Sequence, residues 1–312
     1  MLHVLSTGGT IASTGDEAGA TPELDAGDLL EGLDVAARAE SFATVPSPHL
    51  TLDRLADLGE RIGELVADGA EGVVVTVGTD TLEEVAAFLD ATYAGDPPVV
   101  VTGAMRTADA PGADGPANLR AALSTADDPG AAGRGTLVTF ADRVLPAGEA
   151  RKVHATRPDA FRSPEFGPLG VVREGGVDWR RERDRGPAFD PDPDALTADV
   201  PVVYATLDAP GGRVPTPDDP PAAVVLAATG AGHVPPALLD PLAALRDAGV
   251  PVVATTRCPE GRLLRGTYGF EGSERSLRDL GCPFADLPPA AARIRAVVAL
   301  AAGRLDDAFA AG

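Results

Sequence analysis

The sequence predicts an α/β protein with two domains, in which the larger N-terminal domain has a doubly wound, mostly parallel sheet and the C-terminal α/β domain is smaller. Two observations lead to this prediction. Short apolar, often β-branched runs alternate with segments of helical periodicity, which is typical of doubly wound folds. The alternation also breaks off at a stretch rich in Asp, Pro and Arg and then resumes. A length of 312 residues suits two domains of ordinary size.

The first domain is predicted to alternate strands and helices. Its strands are expected at residues 2–5, 72–77, 99–102 and 135–140, where continuous apolar runs fit strands that are buried on both faces. Its helices are expected at residues 52–66, 82–89 and 118–123. Glu83 and Glu84 would lie in the first turn of the second helix, where acidic side chains suit the helix dipole.

The second domain repeats this pattern after a polar connection. We predict an N-terminal domain at residues 1–182, a linker at 183–199 and a C-terminal domain at 200–312. Within the last domain, strands are expected at residues 200–205, 222–228 and 250–255, and helices at 236–248 and 290–302.

The charge balance excludes several classes of partner. The chain carries 47 acidic and 26 basic residues, a net charge of −21. Such a surface repels nucleic acids and anionic membranes, so we expect no nucleic-acid and no membrane partner. Because the apolar fraction reaches 44%, we interpret the acidity as that of a folded protein adapted to high salt rather than as disorder.

The sequence shows no signal for a membrane span, an export signal or a metal site. No apolar run is long enough to cross a bilayer, and the N-terminal residues lack a signal-peptide pattern, so a cytoplasmic protein is expected. Cys258 and Cys282 are far apart in the chain, and the four histidines are scattered. We therefore expect no metal and no cofactor.

Three predicted strands end in unusual turns, namely TGGT at residues 7–10, GTDT at 78–81 and GAMR at 103–106. Each turn alone could simply cap the following helix. A glycine-rich turn can also bind dinucleotide phosphates, but TGGTIA lacks the G-x-G-x-x-G spacing. Because the carboxyl ends of parallel strands share one edge of a sheet, the three turns together favour an active site there.

Lysine occurs once, at Lys152, among 25 arginines (26 basic residues less one). Arginine stays charged under all ordinary conditions, whereas lysine can act as a base when burial favours its neutral amine. A chain that uses arginine almost everywhere is expected to keep lysine where the amine itself is needed. We therefore place Lys152 in the predicted site.

Five motifs together resemble the bacterial-type L-asparaginase/glutaminase family over essentially the whole chain. They are TGGTIA at residues 7–12, VGTDTLEE at 77–84, TGAMR at 102–106, ADGPANL at 113–119 and FGPLG at 166–170. The resemblance implies hydrolysis of L-asparagine through a threonine acyl-enzyme. It also implies a homodimer or homotetramer, because in this family the C-terminal domain completes the site of a neighbouring subunit.

The resemblance implies a role for each matching residue. Thr10 matches the nucleophile, and Thr79, Asp80 and Lys152 match the group that supports it. A threonine hydroxyl needs a proton acceptor, which a neutral lysine acting through Thr79 could provide. The residues that match substrate-binding positions are Gly9, Ser47, Thr79, Asp80 and Ala104.

The chain departs from the family pattern at three places. The loop after Thr10 contains no tyrosine where the family usually has one, and Thr21 is the nearest hydroxyl candidate in what we expect to be a mobile lid. Pro48 stands where a glutamine often follows the serine. His233 occupies a position where the family commonly shows asparagine.

Several other functions remain open from the sequence. Glutamine is the close alternative substrate. An amidohydrolase component of a tRNA-dependent amidotransferase carries an extra N-terminal domain in this family, whereas here the first motif begins at residue 7. A non-enzymatic amino-acid-binding sensor is disfavoured because the supporting set is intact.

Overall fold

The computed structural model describes residues 1–16, 19–33, 35–183 and 185–309. The chain divides into two compact units, Met1–Ala188 and Phe189–Gly312, called unit 1 and unit 2 below. The linker at residues 183–199 and the domain boundaries on either side of it stay predictions. Residue 184 of that linker and residues 310–312 of the predicted second domain lie outside the described residues.

Unit 1 contains twelve strands in its described residues. They are β1 (Leu2–Ser6), β2 (Ser13–Asp16), β3 (Gly19–Pro22), β4 (Ala37–Ser41), β5 (Gly72–Thr76), β6 (Val99–Thr102), β7 (Thr136–Phe140), β8 (Arg143–Pro146), β9 (Arg151–Lys152), β10 (Phe161–Arg162), β11 (Gly170–Arg173) and β12 (Gly176–Trp179).

Eight of these strands form one sheet in the order β12-β11-β8-β7-β6-β5-β1-β4. The pairs from β4 to β7 are parallel, whereas β7, β8, β11 and β12 pair antiparallel. The predicted α/β class with a mostly parallel sheet is therefore confirmed. Strand β1 lies between β4 and β5, so the next two strands of this sheet along the chain are on opposite sides of it. Ligands bind at such topological switch points in open α/β sheets.

The helices of unit 1 cover this sheet. They are α1 (Leu52–Ala67), α2 (Leu82–Thr92) and α3 (Gly115–Asp127). The side chain of Thr51 caps α1 by accepting the N–H of Arg54. Helix α1 buries four apolar side chains at helical spacing, Leu55, Leu58, Ile62 and Leu65. The apolar face of α3 packs with β1, β5, β6 and β7 in one core cluster, which makes the central strands a rigid support for the turns at their ends.

Unit 2 has a smaller sheet. Strands β13 (Val202–Tyr204), β14 (Val224–Ala228) and β15 (Val252–Thr256) are parallel in that order. The helices are α4 (Leu239–Asp247), α5 (Glu274–Asp279), α6 (Pro289–Ala301) and α7 (Leu305–Ala308). This architecture confirms the smaller C-terminal α/β domain expected from the sequence.

None of the helices in the described part of the chain is long and apolar enough to cross a membrane.

Candidate active site

The turn after β1 is tied directly to the neighbouring strand β5. The backbone N–H and the hydroxyl of Thr7 both donate to the carbonyl of Thr76, over 3.0 and 2.9 Å. The chain then enters one 3₁₀ turn, Thr10–Ala12, which buries Ile11 and Ala12 and leaves Thr10 partly exposed. The fold thus holds the backbone of Thr10 rigidly while its side chain stays accessible.

Two glycines let the turns at the strand ends meet backbone to backbone. A Cβ atom on Gly9, whose φ is +79°, would overlap the backbone nitrogen of Gly78. A Cβ atom on Gly78 would come within 2.7 Å of Oγ of Ser47. The segments that carry Thr10, Thr79 and Ser47 are therefore in direct contact, which side chains at these glycines would prevent.

Lys152 binds both polar residues of the second turn. Its Nζ donates to Oγ1 of Thr79 over 3.0 Å and to Oδ1 of Asp80 over 2.6 Å. The side chain of Lys152 is 15% exposed and that of Asp80 is 69% exposed, so the carboxylate can still reach a ligand from solvent. Thr79 is buried at 6% exposure. The lysine predicted from composition is thus joined to the threonine and aspartate predicted from the GTDT motif.

A cavity of about 130 Å³ opens where these turns meet. Its lining residues are Gly9, Thr10, Ser13, Ala20, Pro22, Pro46, Ser47, Pro48, Gly78, Thr79 and Asp80. Ser47 is buried, and its carbonyl accepts the hydroxyl of Thr81 over 3.1 Å, which fixes the third segment to the second. Five of the sequence-predicted site residues therefore line one cavity, and Lys152 contacts two of those five.

The described residues of the segment after Thr10 pair as the antiparallel strands β2 and β3 of a hairpin, and the mobility expected of this lid stays a prediction. Strand alternation turns Ala20 and Pro22 toward the cavity. The hydroxyl of Thr21, between them, donates instead to Oε1 of Glu23 over 3.2 Å. Residues 17 and 18 of the expected lid lie outside the described residues. The structure therefore gives no support to Thr21 as a replacement for the family tyrosine.

Glu83, in the first turn of α2, accepts the backbone N–H of Lys152 at its Oε2 over 2.7 Å. Burial raises the pKa of the Glu83 carboxyl, although the Lys152 N–H and the charges of Arg151 and Lys152 oppose the rise. Sequence reasoning placed Glu83 only as a helix-terminal acid, because nothing local shows that residue 152 folds back onto this helix.

Ala104 does not line the cavity. It is 1% exposed and packs in the core cluster with Ile11 and Leu119. Asn118 holds this strand end, because its amide donates to the carbonyl of Gly103 over 2.9 Å while its oxygen accepts the N–H of Ala141. The methyl side chain of Ala104 is therefore part of the core beneath the site. Only the backbone of Ala104 could contact a ligand.

His233 lies in unit 2, beside a buried acid. Its Nε2 is 3.3 Å from Oε2 of Glu274, and its ring meets those of Tyr268 and Phe270 edge-on. These contacts account for the position of His233 within unit 2.

Across the residues that the structure describes, no three His, Cys, Asp or Glu side chains are grouped as metal ligands would be.

The cavity residues that sequence reasoning missed are mostly small and apolar, namely Ser13, Ala20, Pro22 and Pro46, whereas Pro48 was noted only as standing in place of a family glutamine. They carry no chemical signature, and only the alternation of the β2–β3 hairpin could have indicated two of them. Together with the predicted residues they form a small polar cleft with a hydroxyl, an ammonium-bound hydroxyl and an exposed carboxylate. Such a set can hold a small zwitterion and attack a carbonyl carbon.

Two family models match the chain. The one described as Asparaginase, N-terminal, matches residues 1–185, and the one described as Glutaminase/Asparaginase C-terminal domain matches residues 199–310.

Known proteins resemble the chain over most of its length. A probable L-asparaginase of Deinococcus radiodurans is 37% identical over 289 residues, covering 90% of this chain and 86% of that protein. A glutaminase-asparaginase of Pseudomonas aeruginosa is 33% identical, covering 95% and 85%. The solved structure of a probable cytoplasmic L-asparaginase from Campylobacter jejuni is 30% identical with a TM-score of 0.81, covering 96% of this chain and 94% of its own.

Proposed function

The chain belongs to the asparaginase and glutaminase family, and from this premise we propose that it hydrolyses L-asparagine to L-aspartate and ammonia with Thr10 as the nucleophile. The observation that carries the proposal is the shared cavity. Thr10, Thr79 and Asp80 line it, and the amine of Lys152 binds the latter two.

The reaction would proceed in two displacements. Oγ1 of Thr10 forms a bond to the side-chain amide carbon, and the C–N bond then breaks as ammonia leaves with the proton taken from the hydroxyl. Water next attacks the carbonyl carbon of the resulting ester, and the bond from that carbon to Oγ1 of Thr10 breaks. One proton of the water passes to Oγ1 of Thr10, and its hydroxyl stays on the aspartate that is released. Splitting the hydrolysis in this way replaces one difficult attack by water with two easier steps.

The proton acceptor in this proposal is the amine of Lys152, acting through the hydroxyl of Thr79. The contact between Nζ and Oγ1 at 3.0 Å supports such a relay. Nζ of Lys152 also donates to Oδ1 of Asp80 over 2.6 Å, so Asp80 holds the amine beside the hydroxyl of Thr79.

Substrate binding is assigned to polar groups of the same cavity. We assign the α-carboxylate to the hydroxyl of Ser47 and the backbone N–H of Gly9, and the α-ammonium to Asp80. Backbone N–H groups near Thr79 would stabilise the oxyanion, as preorganised donors do in other acyl transfers. Ala104 is assigned a contact through its backbone, because its side chain is in the core.

Glutamine is the second candidate substrate. The similarity to the Pseudomonas aeruginosa protein, whose name includes both activities, supports this candidate. Glutamine is one methylene longer than asparagine, and a single methylene in a pocket is worth only about 1–3 kcal/mol of discrimination. The proposed catalytic groups would serve both amides.

We also propose that the enzyme acts in the cytoplasm as a homodimer or homotetramer, on small amides rather than nucleic acids or membranes. The name of the Campylobacter jejuni relative supports the location. The net charge of −21 supports the exclusion of anionic partners.

The direct test of the function measures ammonia release from asparagine and glutamine side by side at molar salt. We expect release from asparagine, with a slower or comparable rate for glutamine. Because the chemistry requires both a side-chain amide and an α-ammonium group, succinamate, which lacks the ammonium, serves as the control and should react far more slowly. No release from either amino acid would refute the proposed activity.

A further inference from the structure

Lys152 lies on a strand that gives it little support. Strand β9 has two residues, and among the described strands it pairs only with β10, with Lys152 opposite Phe161. The N–H of Val153 donates to the carbonyl of Ala160 over 2.8 Å, so the N–H of Lys152, one residue earlier, faces away from the partner strand. The backbone of the lysine therefore needs another anchor if its amine is to stay in place.

Glu83 provides that anchor. Its Oε2 accepts the outward-facing N–H of Lys152 over 2.7 Å. Glu83 follows Asp80 by three residues, in the same segment that runs from the GTDT turn into α2. Lys152 is thus bound at both ends to one short stretch of chain, through its Nζ to Thr79 and Asp80 and through its N–H to Glu83.

We propose that Glu83 is a positioning residue for the reaction, whose carboxylate fixes the backbone of Lys152 so that the amine reaches Thr79 and Asp80. The inference rests on the function proposed above. Glu83 does not line the cavity and has no assigned contact with substrate. Its effect on the rate would pass through the placement of the lysine.

A second role for the same carboxylate must be separated from this one. An acidic side chain in the first turn of α2 also stabilises the helix by interacting favourably with its dipole. Glu83→Asp keeps the charge at the helix terminus but is one methylene too short to keep the bond to Lys152. Glu83→Gln removes the charge but keeps an oxygen at the same reach. Glu83→Asp therefore keeps the charge and loses the hydrogen bond to Lys152, whereas Glu83→Gln keeps the hydrogen bond and loses the charge.

The test compares steady-state kinetics and thermal stability of both variants with the wild type. For Glu83→Asp we expect kcat to fall about tenfold to a hundredfold, since small misplacements of catalytic groups have effects of this size, with KM within about threefold. For Glu83→Gln we expect kcat within about threefold of the wild type. Full kcat in Glu83→Asp, or an equal loss in both variants, would overturn the proposal.

The matched control is Asp90, another carboxylate on α2. It forms a buried pair with Arg183, in which both side chains are 8% exposed, and it does not contact the site. Asp90→Asn should lower the melting temperature while leaving kcat within about twofold.

Failure of the proposed activity can be distinguished from failure of the positioning role. A wild type that releases no ammonia refutes the activity, whereas an active wild type with an unimpaired Glu83→Asp refutes only the positioning role.

Discussion

At the scale of single residues, the state of the Lys152 amine is central to the proposed chemistry. In the free enzyme the amine is bound by Asp80, and the relay to Thr79 requires it to give up a proton. A side chain that is positively charged but cannot become neutral can still bind Asp80, but it cannot accept a proton through Thr79. Arginine is such a side chain, because its guanidinium group stays protonated in proteins.

We therefore predict that Lys152→Arg keeps a melting temperature near that of the wild type and loses about 10²- to 10⁴-fold in kcat, the range that general base catalysis contributes. Ammonia release at saturating asparagine measures the loss. Arg151→Lys, the reverse change at the adjacent residue, is the control and should stay within about threefold. Retention of most activity by Lys152→Arg would show that the amine is not the proton acceptor.

Residue types and positions at strand ends predicted a site at the turns that carry Thr10, Thr79 and Asp80, and composition added Lys152. The family resemblance then joined the four residues as one catalytic group. What the sequence could not show is which neutral groups complete the cavity. Ala20 and Pro22 reach it only because the segment after Thr10 folds as a hairpin. The bond from Glu83 to Lys152 joins residues 69 positions apart in the chain, and no local pattern indicates such a contact.

At the scale of elements, unit 2 contains a buried acid whose stability contribution depends on pH. Glu274 begins α5 and is fully buried, and its Oε1 accepts the N–H groups of Thr267 and Tyr268 over 2.6 and 2.7 Å. Burial opposes ionisation of Glu274, but these N–H groups and the nearby His233 hold the pKa of its carboxyl below the usual value. The ionised form therefore stabilises this loop.

A folded-state pKa below the unfolded value means that the stabilisation is present above the ordinary glutamate pKa of about 4.3 and is lost as the pH falls through the folded-state value. We predict that Glu274→Gln has a lower melting temperature than the wild type at pH 7. The gap should shrink as the pH falls from the unfolded-state pKa through the lower folded-state pKa of this carboxyl. A gap that stays constant from neutral to acid pH would contradict the assigned role of the charge.

The central strands and helices could be predicted from apolar runs and helical spacing. Strands such as β5 and β6 are buried along their whole length and are therefore apolar throughout. The strands that were not predicted lie at or near the edges of the large sheet or beyond it. Strand β4, with the sequence ARAES, is an outer strand with two charged side chains. Edge strands carry polar residues and so lose the hydrophobic signal that identifies central strands.

At the scale of the whole molecule, the net charge of −21 is the property that the fold explains least. Adaptation to high salt stays a prediction from composition, and so do the linker at residues 183–199 and the oligomeric state.

The contacts of Arg183 bear on where the predicted linker starts. Arg183 pairs with Asp90 inside unit 1 and also donates to the carbonyls of Arg134 and Thr136. The start of the predicted linker is therefore bound into the first unit.

The fold class was predictable because its two signals, the alternating strands and helices and the polar stretch that interrupts them, are both local in sequence. The family resemblance added what local patterns cannot supply, namely the order of chemical steps and the roles of individual residues. The two family models, which match residues 1–185 and 199–310, show the family membership, whereas the roles of the individual residues stay proposals.

The measurement that tests the account most directly is the capture of the acyl-enzyme. Enzyme mixed rapidly with asparagine and quenched in acid should carry an aspartyl ester on the peptide that contains Thr10, detected by mass spectrometry after digestion. Thr10→Ala should melt near the wild-type temperature, form no ester and release ammonia at least about 10³-fold more slowly. An ester on another residue, or ammonia release by Thr10→Ala at the wild-type rate, would contradict the assignment of Thr10 as the nucleophile.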